Sequence, residues 1–137
     1  GKYGSMTALR VAESDNVSKV VMIDILEGLP QGLALDINQS RYVEKFETEI
    51  IGTNSYQDTK ESDVVVITAG IPRRPGMSRM DLLTTNGKII KDVTKNIMEF
   101  SSNPKIIVVT NPLDQMTTLV SEISGLAKQN VIGQAGI

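Results

Sequence analysis

Apolar residues along the chain gather into short runs, and between the runs they recur at every third or fourth position. Runs of roughly four to eight residues rich in β-branched side chains are the pattern of strands buried on both faces, and three-four spacing is that of amphipathic helices. Lys19 to Ile25 (KVVMIDI), Asp63 to Ala69 (DVVVITA) and Lys105 to Thr110 (KIIVVT) read as buried strands. Shorter strands are predicted over 49–53 (EIIGT), closed by Gly52 and Asn54, and over 130–134 (NVIGQ). Helices are predicted over 5–14, over 31–43 with Leu33, Leu35, Ile37 and Val43, over 81–100, and over 113–127 with a cap near Gly125. In the third of these, Leu82, Asn86, Ile89, Val93 and Ile97 form one stripe with Asn86 its polar exception. DVVVITA, apolar on both faces, reads as a central strand covered by helices on each side. Strand and helix alternate from end to end without internal repeats, which predicts a parallel α/β sheet in one domain.

Composition narrows the functions this sheet could serve. The 137 residues are 40% hydrophobic and 22% charged, ordinary for one globular domain. Lys plus Arg number 14 against 16 Asp plus Glu, so the net charge of −2 gives no basis for a nucleic-acid or anionic-membrane partner. Any anion binding must be local. The absence of cysteine removes a disulfide framework and a thiol nucleophile, and it suits a cytoplasmic enzyme. No apolar run approaches the ~18–20 residues that span a bilayer. The start, GKYGSMTALR, lacks a signal peptide's apolar core, so a soluble chain is expected. There is no histidine, the commonest acid–base group near neutral pH, so the chain alone lacks that group, and no metal site is expected.

Three features carry candidate chemistry. Gly1 and Gly4 precede a helix, and Asp24 follows Gly4 by 20 residues, the spacing between a phosphate-binding glycine turn and an acid that binds ribose hydroxyls. Two glycines alone are more often the mark of a tight turn with no ligand, and Asp24 could simply cap its neighbour. Its carboxylate would also repel a 2′-phosphate, which predicts NAD over NADP, and Ile25 beside it suits an adenine face. The segment 71–79, IPRRPGMSR, places Arg73, Arg74 and Arg79 at the carboxyl end of a predicted strand, the edge where open α/β sheets bind ligands. Charge clusters in loops usually face water. Yet arginine's planar fork pairs with carboxylates, and Pro72, Pro75 and Gly76 suit a loop that closes as a lid. Asn111 follows KIIVVT and could hydrogen-bond a substrate oxygen or simply begin the next helix before Pro112. The amide of Asn86 must find a partner, either a cofactor or a backbone carbonyl.

Taken together, Gly4, Asp24, TAGIPRRPGMSR, DLLTTN and VTNP resemble the lactate/malate dehydrogenase family, in its malate-active, lactate-dehydrogenase-like branch, over nearly the whole chain. The resemblance implies a Rossmann-type doubly wound parallel sheet, with residues 1–137 as an NAD-binding domain incomplete at its N-terminus and lacking the C-terminal substrate domain. It implies that Gly1 and Gly4 bind the NAD pyrophosphate, Asp24 the adenosine ribose, and Asn86, Val109, Thr110 and Asn111 other parts of NAD. Arg79 would polarise the substrate carbonyl, Asn111 would hydrogen-bond it, and Arg73 would pair with the distal carboxylate of malate or oxaloacetate, a step of the tricarboxylic acid cycle. Related lactate dehydrogenases typically carry glutamine where Arg73 stands, and a carboxylate left unpaired in a closed site costs several kcal/mol. Arg74 is expected to be a solvated neighbour. The resemblance further implies a homo-oligomer associating through helices that include the one after the arginine loop. Lactate or another 2-hydroxyacid remains an alternative substrate, and a non-catalytic dinucleotide-binding module an alternative role. The family's first strand, third substrate arginine and catalytic histidine–aspartate pair have no counterpart in the sequence, so the chain is expected to be a piece of a longer protein with little turnover alone. In the strand order 3-2-1-4-5-6 the missing first strand lies between VVMIDI and DVVVITA, so the sheet should be split there.

Overall fold

A computed structural model of the chain describes residues 1–136, and Ile137, the end of the expected domain, lies outside the described residues. The elements in order are α1 (Lys2–Glu13), β1 (Lys19–Ile23), α2 (Leu29–Glu44), β2 (Glu49–Thr53), β3 (Val64–Ile67), α3 (Arg79–Phe100), β4 (Lys105–Val108), α4 (Leu113–Ser124) and β5 (Val131–Gly133). Short 3-10 turns occupy Tyr56–Thr59 and Lys128–Asn130. Every strand pairs in parallel, in two sheets ordered β1-β2 and β3-β4-β5. The strands thus fall into two separate sheets, the split that the sequence predicts. The chain divides into two compact units, Gly1–Thr59 and the residues from Lys60 onward. No helix among the described residues is long and apolar enough to cross a membrane.

In the first unit β1 and β2 run in register from Lys19 opposite Glu49 to Ile23 opposite Thr53. Ala12 of α1, Ala34 and Ile37 of α2, Phe46 and Ile50 form the core, with Leu9, Val20 and Met22 packed against it. The buried face of α2 is Pro30, Ala34 and Ile37, at spacings of four and three, so Leu35 and Val43 fall off that stripe and are exposed. Helix α2 approaches β2 so closely that a Cβ on Gly52 would lie 1.9 Å from the Pro30 carbonyl oxygen. The turn after α1 is tied to β2 by Asp15, whose Oδ1 accepts the N–H groups of Glu47 (2.9 Å) and Thr48 (3.1 Å). The Thr48 hydroxyl lies 3.2 Å from the same oxygen.

The Glu47 N–H above all, aided by Thr48 and by the charge of Arg41, holds the Asp15 carboxyl below its usual range against the opposing effect of burial. A carboxyl whose folded pKa is depressed stabilises the fold fully above its unfolded value of about 3.9 and loses that contribution as pH falls through the folded value. Asp15→Asn should therefore flatten the acid limb of stability, measured as urea midpoints at about pH 5 and about pH 3. A wild-type and variant that lose equal stability over that interval would remove Asp15 from the acid transition.

In the second unit β4 is central, paired with β3 from Val64–Lys105 to Ile67–Val108 and with β5 from Ile106–Val131 to Val108–Gly133. The core comprises Ile67, Ile90, Ile97, Ile106, Val108, Met116 and Val120. β3 differs from its sequence reading: among the described residues it pairs on one side alone and is not covered on both faces, with Val64 52% exposed. An apolar run specifies what a strand can bury, and its neighbours decide what it does bury. The buried stripe of α3 is Asn86, Ile90, Thr94 and Ile97, and Ile89 and Val93 lie at its flank. Helix α4 ends on Gly125 in the left-handed conformation, as its sequence predicts.

Candidate functional site

The candidate residues fall into two groups, one in each unit. In the first, Gly1 is the N-cap of α1, and Gly4 lies in the first turn of that helix instead of in a turn before it. The helix begins three residues earlier than its apolar pattern suggests. The first-turn N–H groups lack intrahelical partners and make an electropositive end. Asp24, just past β1, meets this end: its Oδ2 lies 2.6 Å from the Gly1 nitrogen, and its Oδ1 accepts the Leu26 N–H at 3.1 Å. Partial burial pushes the Asp24 carboxyl up, while the N–H groups of Leu26 and Ile25 pull it down. An ionised carboxylate offers about four acceptor positions, so two remain for a pair of adjacent hydroxyls. Ile25, 94% exposed, and Leu26 present an apolar surface next to it. Acid, apolar platform and helix start together fit the ribose, adenine and pyrophosphate of a dinucleotide.

In the second unit Arg73 and Arg74 are exposed in the loop after β3. Met77 N–H donates to the Arg74 carbonyl at 3.1 Å across Pro75 and Gly76, and Gly76 has φ 85, the sequence and sign of a type II turn. Arg73 Nε donates to the Met77 carbonyl at 3.0 Å, which fixes the stem and leaves the two terminal nitrogens to meet a carboxylate. Arg79 is the first residue of α3 and not part of the loop, because Ser78 starts the helix with a capping box. Asp81 N–H donates to Ser78 Oγ (3.0 Å), while Asp81 Oδ2 accepts Ser78 N–H (2.9 Å) and the Ser78 hydroxyl (2.7 Å). Those two donors hold the Asp81 carboxyl below its usual range. A cation at the positive end of a helix dipole adds to a local field that favours anions.

Val109 N–H extends the ladder to the Ile67 carbonyl (3.0 Å), and the buried Thr110 hydroxyl donates to the Ala69 carbonyl (2.7 Å). Asn111 is exposed, joined to Pro112 by a cis peptide bond. Of the two partners open to the Asn86 amide, backbone is the one it meets. Its Oδ1 accepts Ile71 N–H (2.9 Å), and its Nδ2 donates to the carbonyls of Ile71 (3.2 Å) and Asn111 (2.7 Å). Helix α3 thus brings together the root of the arginine loop and Asn111, and Arg79 starts about 10 Å up the same helix.

Two supporting features escaped the sequence reading. Ser78 and Asp81 have the spacing of a capping box, a signal present in SRMD but outweighed there by the interest of the arginines. Asn54, read only as a strand end, donates Nδ2 to the carbonyls of Asp24 (2.6 Å) and Leu26 (3.1 Å) and accepts from Gln31 Nε2 (2.7 Å), so it holds the Asp24 turn in shape. An asparagine after a strand is too common to have identified it.

Comparison with known proteins bears on both groups. Residues 1–133 match the family described as lactate/malate dehydrogenase, NAD binding domain. A malate dehydrogenase of Pelodictyon phaeoclathratiforme is 53% identical over all 137 residues, which amount to 44% of that relative. The chain therefore spans less than half the length of the curated relatives it matches. Among solved structures, a lactate dehydrogenase of Cryptosporidium parvum complexed with lactic acid and nicotinamide adenine dinucleotide has TM-score 0.92 at 41% identity, covering 100% of this chain and 43% of that one. The malate dehydrogenase of Cryptosporidium parvum has TM-score 0.92 at 43% identity, covering 99% and 43%. The parallel α/β fold is thus of the Rossmann dehydrogenase type, and the chain belongs to the lactate/malate dehydrogenase family, matching its NAD-binding domain.

Proposed function

We propose that residues 1–137 are the NAD-binding part of a longer NAD-dependent malate dehydrogenase that interconverts malate and oxaloacetate. Arg73 carries this reading. The fold resembles a lactate and a malate dehydrogenase equally, with TM-scores of 0.92 for both, so substrate choice must come from side chains. Arg73 stands on an exposed loop with its Nε bonded to the Met77 carbonyl, so both terminal nitrogens are uncommitted by that bond. It supplies a charge partner for a second carboxylate, which pyruvate and lactate lack.

Bound NAD supplies the two-electron acceptor for oxidation of the alcohol carbon. Asp24 accepts the adenosine ribose hydroxyls, and the start of α1 at Gly1 and Gly4 receives the pyrophosphate. Val109, Thr110 and Asn111 line the cofactor's path, and Asn86 holds the backbone beside it. Arg79 polarises the substrate carbonyl and Asn111 hydrogen-bonds it. The hydroxyl proton has to leave to a group outside these residues, since the chain contains no histidine. The enzyme works in the cytoplasm, in keeping with a chain free of cysteine, at the malate step of the tricarboxylic acid cycle. It is a homo-oligomer joined partly through α3. In support, an open, mostly apolar groove of about 740 Å³ runs along α3 and α4, lined by Leu83, Gly87 and Leu119 and edged by Lys88, Lys91 and Glu122.

The test is oxidation of NADH by the complete protein with oxaloacetate and with pyruvate. A preference for oxaloacetate of about 100-fold or more is expected from a single desolvated charge pair. Equal rates on the two acids would sink the malate assignment.

A further inference from the structure

The β3–β4 ladder ends at Ile67 and Val108, yet the two segments stay together for several more residues. Side chains take over the pairing. Thr110 Oγ1 bonds the Ala69 carbonyl at 2.7 Å, and beyond it Asn86, 1% exposed, bridges Ile71 to Asn111. A primary amide has two donor hydrogens, and both of those on Asn86 are committed to backbone carbonyls, Ile71 at 3.2 Å and Asn111 at 2.7 Å. Its oxygen already accepts the Ile71 N–H at 2.9 Å. No donor is left for a ligand. The joint is also tight: a Cβ on Gly70 would lie 2.7 Å from Thr110 Cγ2 and 3.2 Å from Asn86 Oδ1.

We infer that Asn86 is a positioning residue, which locks the root of the arginine loop to the backbone of Asn111 so that the loop pivots beyond Ile71. The far end of the loop is fastened to the same helix by the Ser78–Asp81 capping box. Residues 72–77 are then the part free to move, and Arg73 sits next to the pivot. Loop closure brings Arg73 toward a substrate held by Asn111 without altering the spacing of the two roots. This inference rests on the reading of Arg73 and Asn111 as substrate groups. It gives Asn86 a task in substrate geometry, distinct from a direct contact with the cofactor.

The experiment uses the complete protein as wild type, Asn86→Ala and Gly70→Ala. Three quantities are read: amide hydrogen exchange at Ile71, the Kd for NADH by fluorescence, and the KM for oxaloacetate. In the wild type, Ile71 should exchange as slowly as core amides of α3, with or without NADH. In Asn86→Ala, Ile71 exchange and the KM should each rise about tenfold, as expected for loss of buried hydrogen bonds, while the Kd for NADH stays within about twofold. Gly70→Ala leaves the amide in place but crowds it, and should move the same two quantities in the same direction. A raised Kd with unmoved KM and Ile71 exchange would overturn the inference in favour of direct cofactor contact, and so would rapid Ile71 exchange in the wild type. If Asn86→Ala does not fold, the wild-type exchange and Gly70→Ala still decide. Equal turnover of pyruvate and oxaloacetate would remove the malate reading, and Ile71 exchange would then judge the clamp by itself.

Discussion

Replacing Arg73 by glutamine is expected to lower kcat/KM for oxaloacetate by about 100- to 1,000-fold, the consequence of leaving one carboxylate unpaired in a closed site. Turnover of pyruvate should hold or rise, because the change removes a cation that pyruvate cannot use. The exposed position of Arg73 does not weaken the effect, which arises once substrate is bound and water leaves. Arg73→Lys should fall between the two, since it keeps the charge but loses both the Nε bond to Met77 and the planar fork. Arg79→Gln should behave differently and reduce kcat on both acids, because it acts on the carbonyl that they share. Steady-state kinetics on the complete protein with the two substrates checks the division. Parallel losses in the Arg73 and Arg79 variants on both acids would show that the roles are not separate.

The largest effect on stability is expected at Gly52. A Cβ there would lie 1.9 Å from Pro30 O, 2.2 Å from Pro30 C and 2.6 Å from Gln31 N. All three are backbone atoms at the start of α2, so no side chain can rotate out of the way. Relief requires α2 to lift from β2, which opens the core around Ala34, Ile37 and Ile50. Gly52→Ala should therefore cost about 3 kcal/mol or more, the upper end of overpacking effects. Gly32, on the exposed face of α2 with nothing within 4 Å of its Cβ position, is the natural control. Gly32→Ala should stabilise by about 0.5–1 kcal/mol through helix propensity. Urea denaturation of the two variants compares them directly. Equal midpoints would mean that α2 does not press on β2 at Gly52.

These two positions show what the sequence can and cannot disclose. The strands were legible because buried parallel strands must be continuously apolar, and EIIGT was bounded to the residue. The place of Arg73 and Asn111 at strand ends followed from the same runs. Gly52 gave no comparable signal: its meaning lies in a distance to Pro30, and nothing local encodes that approach. The exposure of Val64 was likewise hidden, because burial of a strand belongs to its neighbours as much as to itself. Asn86 stood between these cases. Its position on a buried stripe showed that the amide needed partners, and only the folded chain supplied their identity as Ile71 and Asn111. Arg79 was assigned to a loop because arginines and prolines dominate the segment, whereas a quiet serine–aspartate pair set the helix boundary.

The register of the strands has a consequence for how the protein is made. Lys19 pairs with Glu49, Val64 with Lys105 and Ile106 with Val131, so each ladder closes over roughly 25 to 40 residues of chain. A ribosome adds about 5–20 residues per second, and each strand therefore meets its partner within seconds of the partner's emergence. None of these pairings waits for residues synthesised far downstream. The helix that fastens both ends of the arginine loop is itself laid down between β3 and β4, so the loop is anchored during the same interval in which its two strands find each other.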